Sequence, residues 1–463
     1  MIHYTGTPLV DAGVAVLENY LEKPCEEFKE QDLEKAFNWL KTTYSRKDIK
    51  GYLTVHFPNS GWCNPTILKE KKEKYIEKVL RSYKEKALSP PRTCAFCNQP
   101  AHLLADRQHI PLLTGATILV SAPYGITGLP VCGYCLSAIQ FYPLATLKVQ
   151  GKPLFWWSPD PNLTYELVKK FFLQVRKMML NSSDKFPNLD WPRTRLLETA
   201  QSVIAELKGT YHLTDCFGYH MTNYGSGPDY QEYYLPKSLL DFLREVRVSE
   251  KEVRETHAWI VESQWERRTR KKANTDKNQI NETDERTGRN FYYEDLSKAF
   301  SSREWEEEIK KIVRKYFIFW DKENFHKNCF ALAELFLRKV GGMDKRRIDI
   351  IKQVADKITN VLILGNNEKR WLQNLYMREM KYNEFFRYLI KAQKRLSELK
   401  DPILLDEIIF MLDITNKDEV LPRETWLVRD LLLLRMLEQL GKQNQDIIKE
   451  LELDNETERD TED

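Results

Sequence analysis

Two pairs of cysteines stand at the spacing that metal chemistry asks for. Cys94 and Cys97 bracket two residues in "TCAFCNQPAH", and Cys132 and Cys135 bracket two in "LPVCGYCLSA". A Cys-x-x-Cys turn presents two thiolates on one side of a tight knuckle, and two knuckles close a four-sulfur cage around tetrahedral zinc. Such a cage keeps no open position for an activated water, so the zinc it implies is structural. The 34 residues from 98 to 131 exceed the usual ribbon spacing and imply an insertion between the knuckles. Two other uses of these residues stay open: a redox pair, for which a second knuckle is redundant, and plain burial of small thiols. The remaining four of the eight cysteines, Cys25, Cys63, Cys216 and Cys329, are scattered singly and do not read as a disulfide framework in a chain of this size.

The insertion carries chemistry of its own. "LLADRQHIPLLTG" resembles the HNH nucleases, in which a histidine between such knuckles acts as general base beside a divalent ion, and His109 is the candidate base. Gln108 stands where a metal-binding Asp or His is wanted, and "CGYCLSAIQF" lacks the Asn or His expected on the following helix. A site missing both ligands does not hold its ion.

These residues need elements to hold them. Asp11 is placed to cap a helix ending near Leu21, and Leu33, Phe37, Leu40 and Tyr44 mark the apolar face of a second helix. "YLTVHF" reads as a strand ending at Pro58, and a lysine-rich helix follows with Ile76, Val79, Leu80 and Tyr83 inward. Beyond the cysteines, "LATLKVQ" and "LFWWS" form a hairpin around "GKP", helices are expected at 162–178 and 193–208, and "CFGYHMTNYGSGPDYQEYYL" reads as strand, glycine-rich loop, strand. Pro236 opens a helix, and another runs through Trp259 and Trp265. Residues 266–290 are nearly free of apolar side chains and read as a basic linker or mobile loop. The segments after Phe291 have helical periodicity throughout. The fold class expected is therefore an α+β region over 1–265, with a zinc-ribbon-like knuckle pair over 90–143. After it come the linker, an all-α helix bundle over 291–450 and an acidic disordered tail over 451–463.

With 463 residues, of which 11 are Trp, 22 Tyr and 21 Phe, the chain has apolar surface for more than one core. Its net charge of +3 averages an acidic tail with a basic body, which favours a polyanionic partner. No run of about 20 apolar residues is present and the start carries no basic leader, so a cytoplasmic protein with no membrane partner is expected.

In order along the chain, "TGTPLVDAGVAVL", "HFPNSGWCNP", the two cysteine pairs and "MTNYGSGPDYQEYYLPKSLLDFL" resemble the CXXC-CXXC large subunit of type I-B (I-A-like) CRISPR Cascade complexes. The resemblance covers roughly residues 1 to 265, with only helical character beyond. It implies a non-catalytic role in RNA-guided antiviral surveillance: reading the short motif that flanks a target, helping to open the duplex and recruiting an effector. The implied partners are the guide-RNA backbone and small subunits, target double-stranded DNA, and a helicase-nuclease or a transposition factor. Base pairing supplies the sequence information in such a system, so the protein needs phosphate and a few groove contacts.

Candidate nucleic-acid contacts follow from residue type. Asn59 and Asn64 in "PNSGWCNP", and Asn223 and Tyr224 in "TNYGSG", offer amide and ring contacts, and also suit plain turns. Arg267, Arg268, Arg270, Lys271 and Lys272 form a cationic run able to follow a phosphate backbone, or to remain a solvated linker. Arg387, Lys391 and Lys394 recur at i, i+4 and i+7, a positive helix stripe that fits single-stranded DNA or bare solvent, with Arg378 and Lys381 before it. Met343, after Gly341 and Gly342, is placed to start a separate small-subunit-like product over 343–450 and the tail. Two other functions remain: an HNH-type nuclease and a zinc-containing protein scaffold.

Overall fold

The computed structural model describes residues 1–57, 60–62, 67–113, 128–181, 187–207, 211–222, 229–272, 281–319, 323–366, 368–376, 382–412 and 425–443; from 268 to 287, and at 376 and 425, it describes backbone alone. Asn59, Asn64, Asn223, Tyr224, Arg378, Lys381 and the tail over 451–463 lie outside the described residues. The chain is mostly helical, with small sheets and a four-cysteine cluster. It divides into two compact units, Met1–Leu240 with Glu266–Arg289, and Asp241–Trp265 with Asn290–Asp463.

The first unit is built on α1 (Pro8–Leu21). "PLVDAGVAVL" is apolar almost all round, and a helix without a polar face must lie inside. Asp11 is the exception and is not the cap: Thr7 holds that position, while Asp11 is buried, accepting the Thr5 amide at 2.7 Å and the Trp157 indole at 3.0 Å. Against α1 pack α2 (Glu30–Tyr44), α5 (Gly133–Ile139) and α6 (Pro161–Asn181), while α4 (Lys69–Arg81) packs on α5 and α7 (Pro192–Glu206) on α6; α3 (Lys50–His56) follows α2 in the chain. Strands β1 (Leu103–Ala105) and β2 (Leu129–Val131) pair antiparallel. A second antiparallel sheet runs in the order β3 (Leu147–Val149), β4 (Lys152–Trp157), β5 (Cys216–Thr222), β6 (Asp229–Leu235). Gln150 and Gly151, both at positive φ (48° and 82°), make the tight turn of its hairpin, as the twist of paired strands requires.

Three further expectations are corrected. "YLTVHF" is not a strand but most of α3, because Tyr52, Leu53, Val55 and His56 share a buried helical face. The Tyr52 hydroxyl donates to the Pro143 carbonyl at 3.0 Å and the His56 ring bonds Thr146 Oγ1 at 2.6 Å, tertiary contacts that override the β preference of Thr and Val. The segment expected to be a linker or mobile loop holds regular structure on both sides of 273–280, which lie outside the described residues: β7 (Trp265–Lys272) and β8 (Asn281–Asn290) form a two-stranded sheet. Strand pairing satisfies backbone groups without apolar side chains, and the Arg289 guanidinium anchors the base 4.2 Å over the Trp191 ring. Finally, the first unit does not run on to residue 265, since 241–265 cluster with the C-terminal helices.

The division falls within α8 (Lys237–Val248). The second unit continues with α9 (Lys251–Ser263), α10 (Phe291–Ala299), α11 (Trp305–Tyr316), α12 (Phe330–Lys339), α13 (Lys345–Lys357), α14 (Arg370–Tyr376), α15 (Tyr382–Glu398), α16 (Leu405–Leu412) and α17 (Thr425–Gln443). A π-helical stretch, Ile358–Gly365, prolongs α13. Helix α17 touches α11 through α16 and is buried on nearly every side, its leucines together with Arg429, Asp430 and Glu438. Its buried Asp430 is met by Arg314 of α11 at 2.7 Å. Among the described residues no helix is long and apolar enough to cross a membrane.

Candidate metal centre and basic cleft

The two knuckles converge. One ligand atom from each of Cys94, Cys97, Cys132 and Cys135 lies within 4.8 Å of the others, and Cys97 Sγ is 3.5 Å from Cys132 Sγ. All described cysteines are free thiols. In the first knuckle the Cys94 amide donates to the Gln99 carbonyl at 2.7 Å, Asn98 turns the chain at φ 59°, and the Phe96 amide points at Cys94 Sγ at 3.5 Å. In the second, Cys132 caps α5 and its sulfur accepts the Cys135 amide at 3.3 Å. Amide donors of this kind stabilise a negative sulfur before any cation arrives.

Three ties hold the knuckles together across the insertion. The Ala95 amide donates to the Pro130 carbonyl at 2.9 Å, β1 pairs with β2 in the register Leu103 to Val131, and the Gly133 amide donates to His102 Nδ1 at 3.2 Å. Behind them α5 is pressed against the protein body. A Cβ on Gly133 would lie 2.0 Å from the Tyr83 nitrogen, and one on Gly13 of α1 would lie 1.9 Å from the Ala138 oxygen, so both approaches require glycine. Tyr83 and Tyr134 stack beside the site, centroids 4.6 Å apart.

The electrostatics point to a cation. Contacts from Cys132 and Cys135 push the Cys94 thiol well down, so it takes the negative charge. Cys135 is pushed far up by donating to Cys132 and Cys94 and by burial. Cys132 is lowered by its contact with Cys135 but raised more by Cys94 and burial, to about 12. Without a cation, Cys132 and Cys135 hold their protons beside a charged Cys94; a divalent ion would compensate the charge of further thiolates. The four residues therefore fit a metal ion in a closed, structural site.

Two smaller groups are internally satisfied. Glu18, near Cys25 and Glu26, accepts the Tyr4 hydroxyl at 2.5 Å and the Cys25 amide at 2.8 Å. Between Glu252 and Glu438, beside Cys329, Lys442 Nζ already sits at 3.0 and 3.2 Å. His109 is buried, its Nδ1 2.8 Å from Asp106 Oδ1 and its ring stacked with Tyr75 at 5.8 Å. Burial holds its imidazole below the ordinary range, against the pull of Asp106. Among the described residues no set of three metal-ligating side chains includes His109 or Asp106.

The predicted stripe on α15 lies in a cleft. Arg387, Lys391 and Lys394 are exposed and line a cavity of about 540 Å³ together with Arg370 and Trp371 of α14. Glu368 orders its wall: it accepts the Trp371 indole at 2.7 Å and Nε and Nη2 of Arg395 at 2.9 and 2.7 Å, while Nη1 of Arg395 donates to Glu398 at 3.0 Å. Arg395 sits two turns beyond Arg387 on the same helix, where helical spacing alone could have placed it; Arg370 and Trp371 come from another helix, and no spacing joins them to the stripe. Arg267 is exposed on β7, whereas Arg268, Arg270, Lys271 and Lys272 fall where backbone alone is described.

Compared with protein-family models, with characterised proteins and with solved structures, the chain matches none.

Proposed function

We propose that this protein is a non-catalytic, nucleic-acid-binding subunit of an RNA-guided surveillance complex, the large subunit its motifs resemble, acting in the cytoplasm. The observation that carries the reading is the basic cleft: five cationic side chains, Arg370, Arg387, Lys391, Lys394 and Arg395, line one concave surface against Glu384, Glu398 and Glu368, the last pairing with Arg370 and Arg395 in its wall. That balance suits a phosphate chain. The metal of the cysteine cage is zinc in this reading, because a closed set of four cysteine sulfurs favours it. Its role is to hold the two knuckles, and with them α5, against α1 and α4.

The helices after Phe291 serve as the bundle that carries the displaced strand, and the internal start at Met343 supplies its small-subunit-like part. His109 supports the nuclease alternative less well, since it is turned onto Asp106 and Tyr75 inside the protein.

The test is reconstitution with guide RNA and the backbone subunits of the neighbouring genes. The chain should bind duplex weakly alone, yet be required for guide-directed binding that depends on the flanking motif. Equal target binding with and without the chain refutes the reading. Nicking by the chain alone with magnesium or manganese, abolished by His109→Ala, would establish the nuclease instead.

A further inference from the structure

The sheet β3–β6 has an aromatic face that neither the cage nor the basic cleft uses. Along β5 the side chains alternate, so Cys216, Gly218 and His220 turn to one face and Phe217, Tyr219 and Met221 to the other. Gly218 lets α7 close on the back, where a Cβ would lie 2.4 Å from Leu196 Cδ1. The register sets Phe217 opposite Trp157 and Tyr234, and Tyr219 opposite Phe155 and Glu232. The rings meet: Phe217 is 5.6 Å from Trp157 and 5.4 Å from Tyr234, and Tyr219 is 6.1 Å from Tyr230. Toward β4 this face runs into the core through Phe155 and Tyr142, 5.7 Å apart. Toward the edge it opens: Phe217, Tyr219 and Tyr234 are half-buried and Tyr230 is 53% exposed.

Carboxylates sit among these rings. Glu232 is exposed, accepts the Tyr230 hydroxyl at 2.7 Å, and has no ion-pair partner among the described residues. Asp215 lies against the Tyr234 hydroxyl, with its Oδ1 accepting the Lys237 amide at 2.7 Å. Negative ring faces beside a carboxylate make a surface for a cation. The same rings would stack nucleobases, but a strand laid over them would bring its phosphates to Glu232 and Asp215, where a tracking groove needs lysine or arginine.

We propose that the β5–β6 end of this face docks an arginine- or lysine-bearing segment of a protein partner, its cationic group lying over Tyr219 and Tyr230 against Glu232. The inference goes beyond the nucleic-acid reading and does not depend on it. The test uses the full chain and three probes: an acetylated peptide alternating glycine with three arginines, the same peptide with norleucine for arginine, and twelve-nucleotide oligo-dT. Titration calorimetry at low salt should show the arginine peptide bound and the norleucine peptide not. Glu232→Gln and Tyr230→Leu should each weaken the arginine peptide about three- to tenfold, the size of one exposed cation–π or ion-pair contact, with oligo-dT affinity and melting temperature unchanged. Should Tyr230→Leu disturb the sheet, Glu232→Gln alone carries the test. Absent binding, or binding equal in wild type and variants, overturns the proposal. A loss of oligo-dT affinity in the variants overturns it too, in favour of base stacking.

Discussion

Cys97→Ser is the sharpest perturbation of the cage, because Cys97 is the one half-buried ligand and its exchange leaves the core intact. Its sulfur lies 3.5 Å from Cys132 Sγ, so its loss opens one side of the four-sulfur set. If three sulfurs hold the metal about a hundredfold more weakly, saturating metal stabilises the fold by about 2.7 kcal/mol less. In a unit of this size each kcal/mol moves the midpoint by about 2–4 °C, so a fall of about 5–11 °C is expected. The assay is metal content by elemental analysis, with thermal unfolding before and after chelation. Wild type should carry one metal per chain and lose stability on chelation; Cys97→Ser should lose metal, whereas Cys25→Ser, outside the cage, should keep it. Because the metal-free thiols of Cys132 and Cys135 are raised, metal affinity should climb with pH as protons stop competing. A metal-free wild type, indifferent to chelator, with four freely reactive thiols, would show that the sulfurs converge through packing alone.

Gly51 is exposed within α3 with nothing within 4 Å of an added Cβ, so Gly51→Ala should stabilise by about 0.5–1 kcal/mol in denaturant unfolding; a loss would restore the strand assignment. Gly133→Ala should cost about 1–3 kcal/mol and lower metal content, as its methyl would strike the Tyr83 backbone. Burial lowers His56 to about 3 and His257 to about 4, so both fold neutral while the unfolded chain takes up protons below about 6.5. Stability should therefore fall with acidification, by about 1.4 kcal/mol per histidine at pH 5.5, and His257→Leu should remove its share; an unchanged slope contradicts this. A product beginning at Met343 lacks α11 and leaves Asp430, 1% exposed, without Arg314. Such a product should be found bound within the complex and not free, and its absence from mass spectra of the purified complex ends the small-subunit reading.

What was legible in the chain was what spacing encodes. Each knuckle is local, and a shared ion is the chemistry that best joins two paired thiols of the same pattern. The hairpin expected around Gly151–Pro153, which turns at Gln150 and Gly151, and the helices α2, α6 and α7 also followed from local pattern. Assignment failed where distant residues decide. Thr146, ninety positions away, satisfies His56 and helps to make α3 a helix. Trp191 seats Arg289 at the foot of a ribbon whose own composition looked like linker. The pairing of Arg370 and Trp371 with the α15 stripe depends on Glu368, whose place between two helices no periodicity reveals.

The most direct test of the account is the salt dependence of single-stranded DNA binding by the purified chain. Affinity should fall steeply with salt, and replacing Arg387, Lys391 and Lys394 together by alanine should make the log–log slope shallower by about 2, roughly 0.7 for each phosphate no longer neutralised. A chain with no salt-sensitive affinity, or a triple variant with the wild-type slope, would contradict the cleft as a nucleic-acid surface.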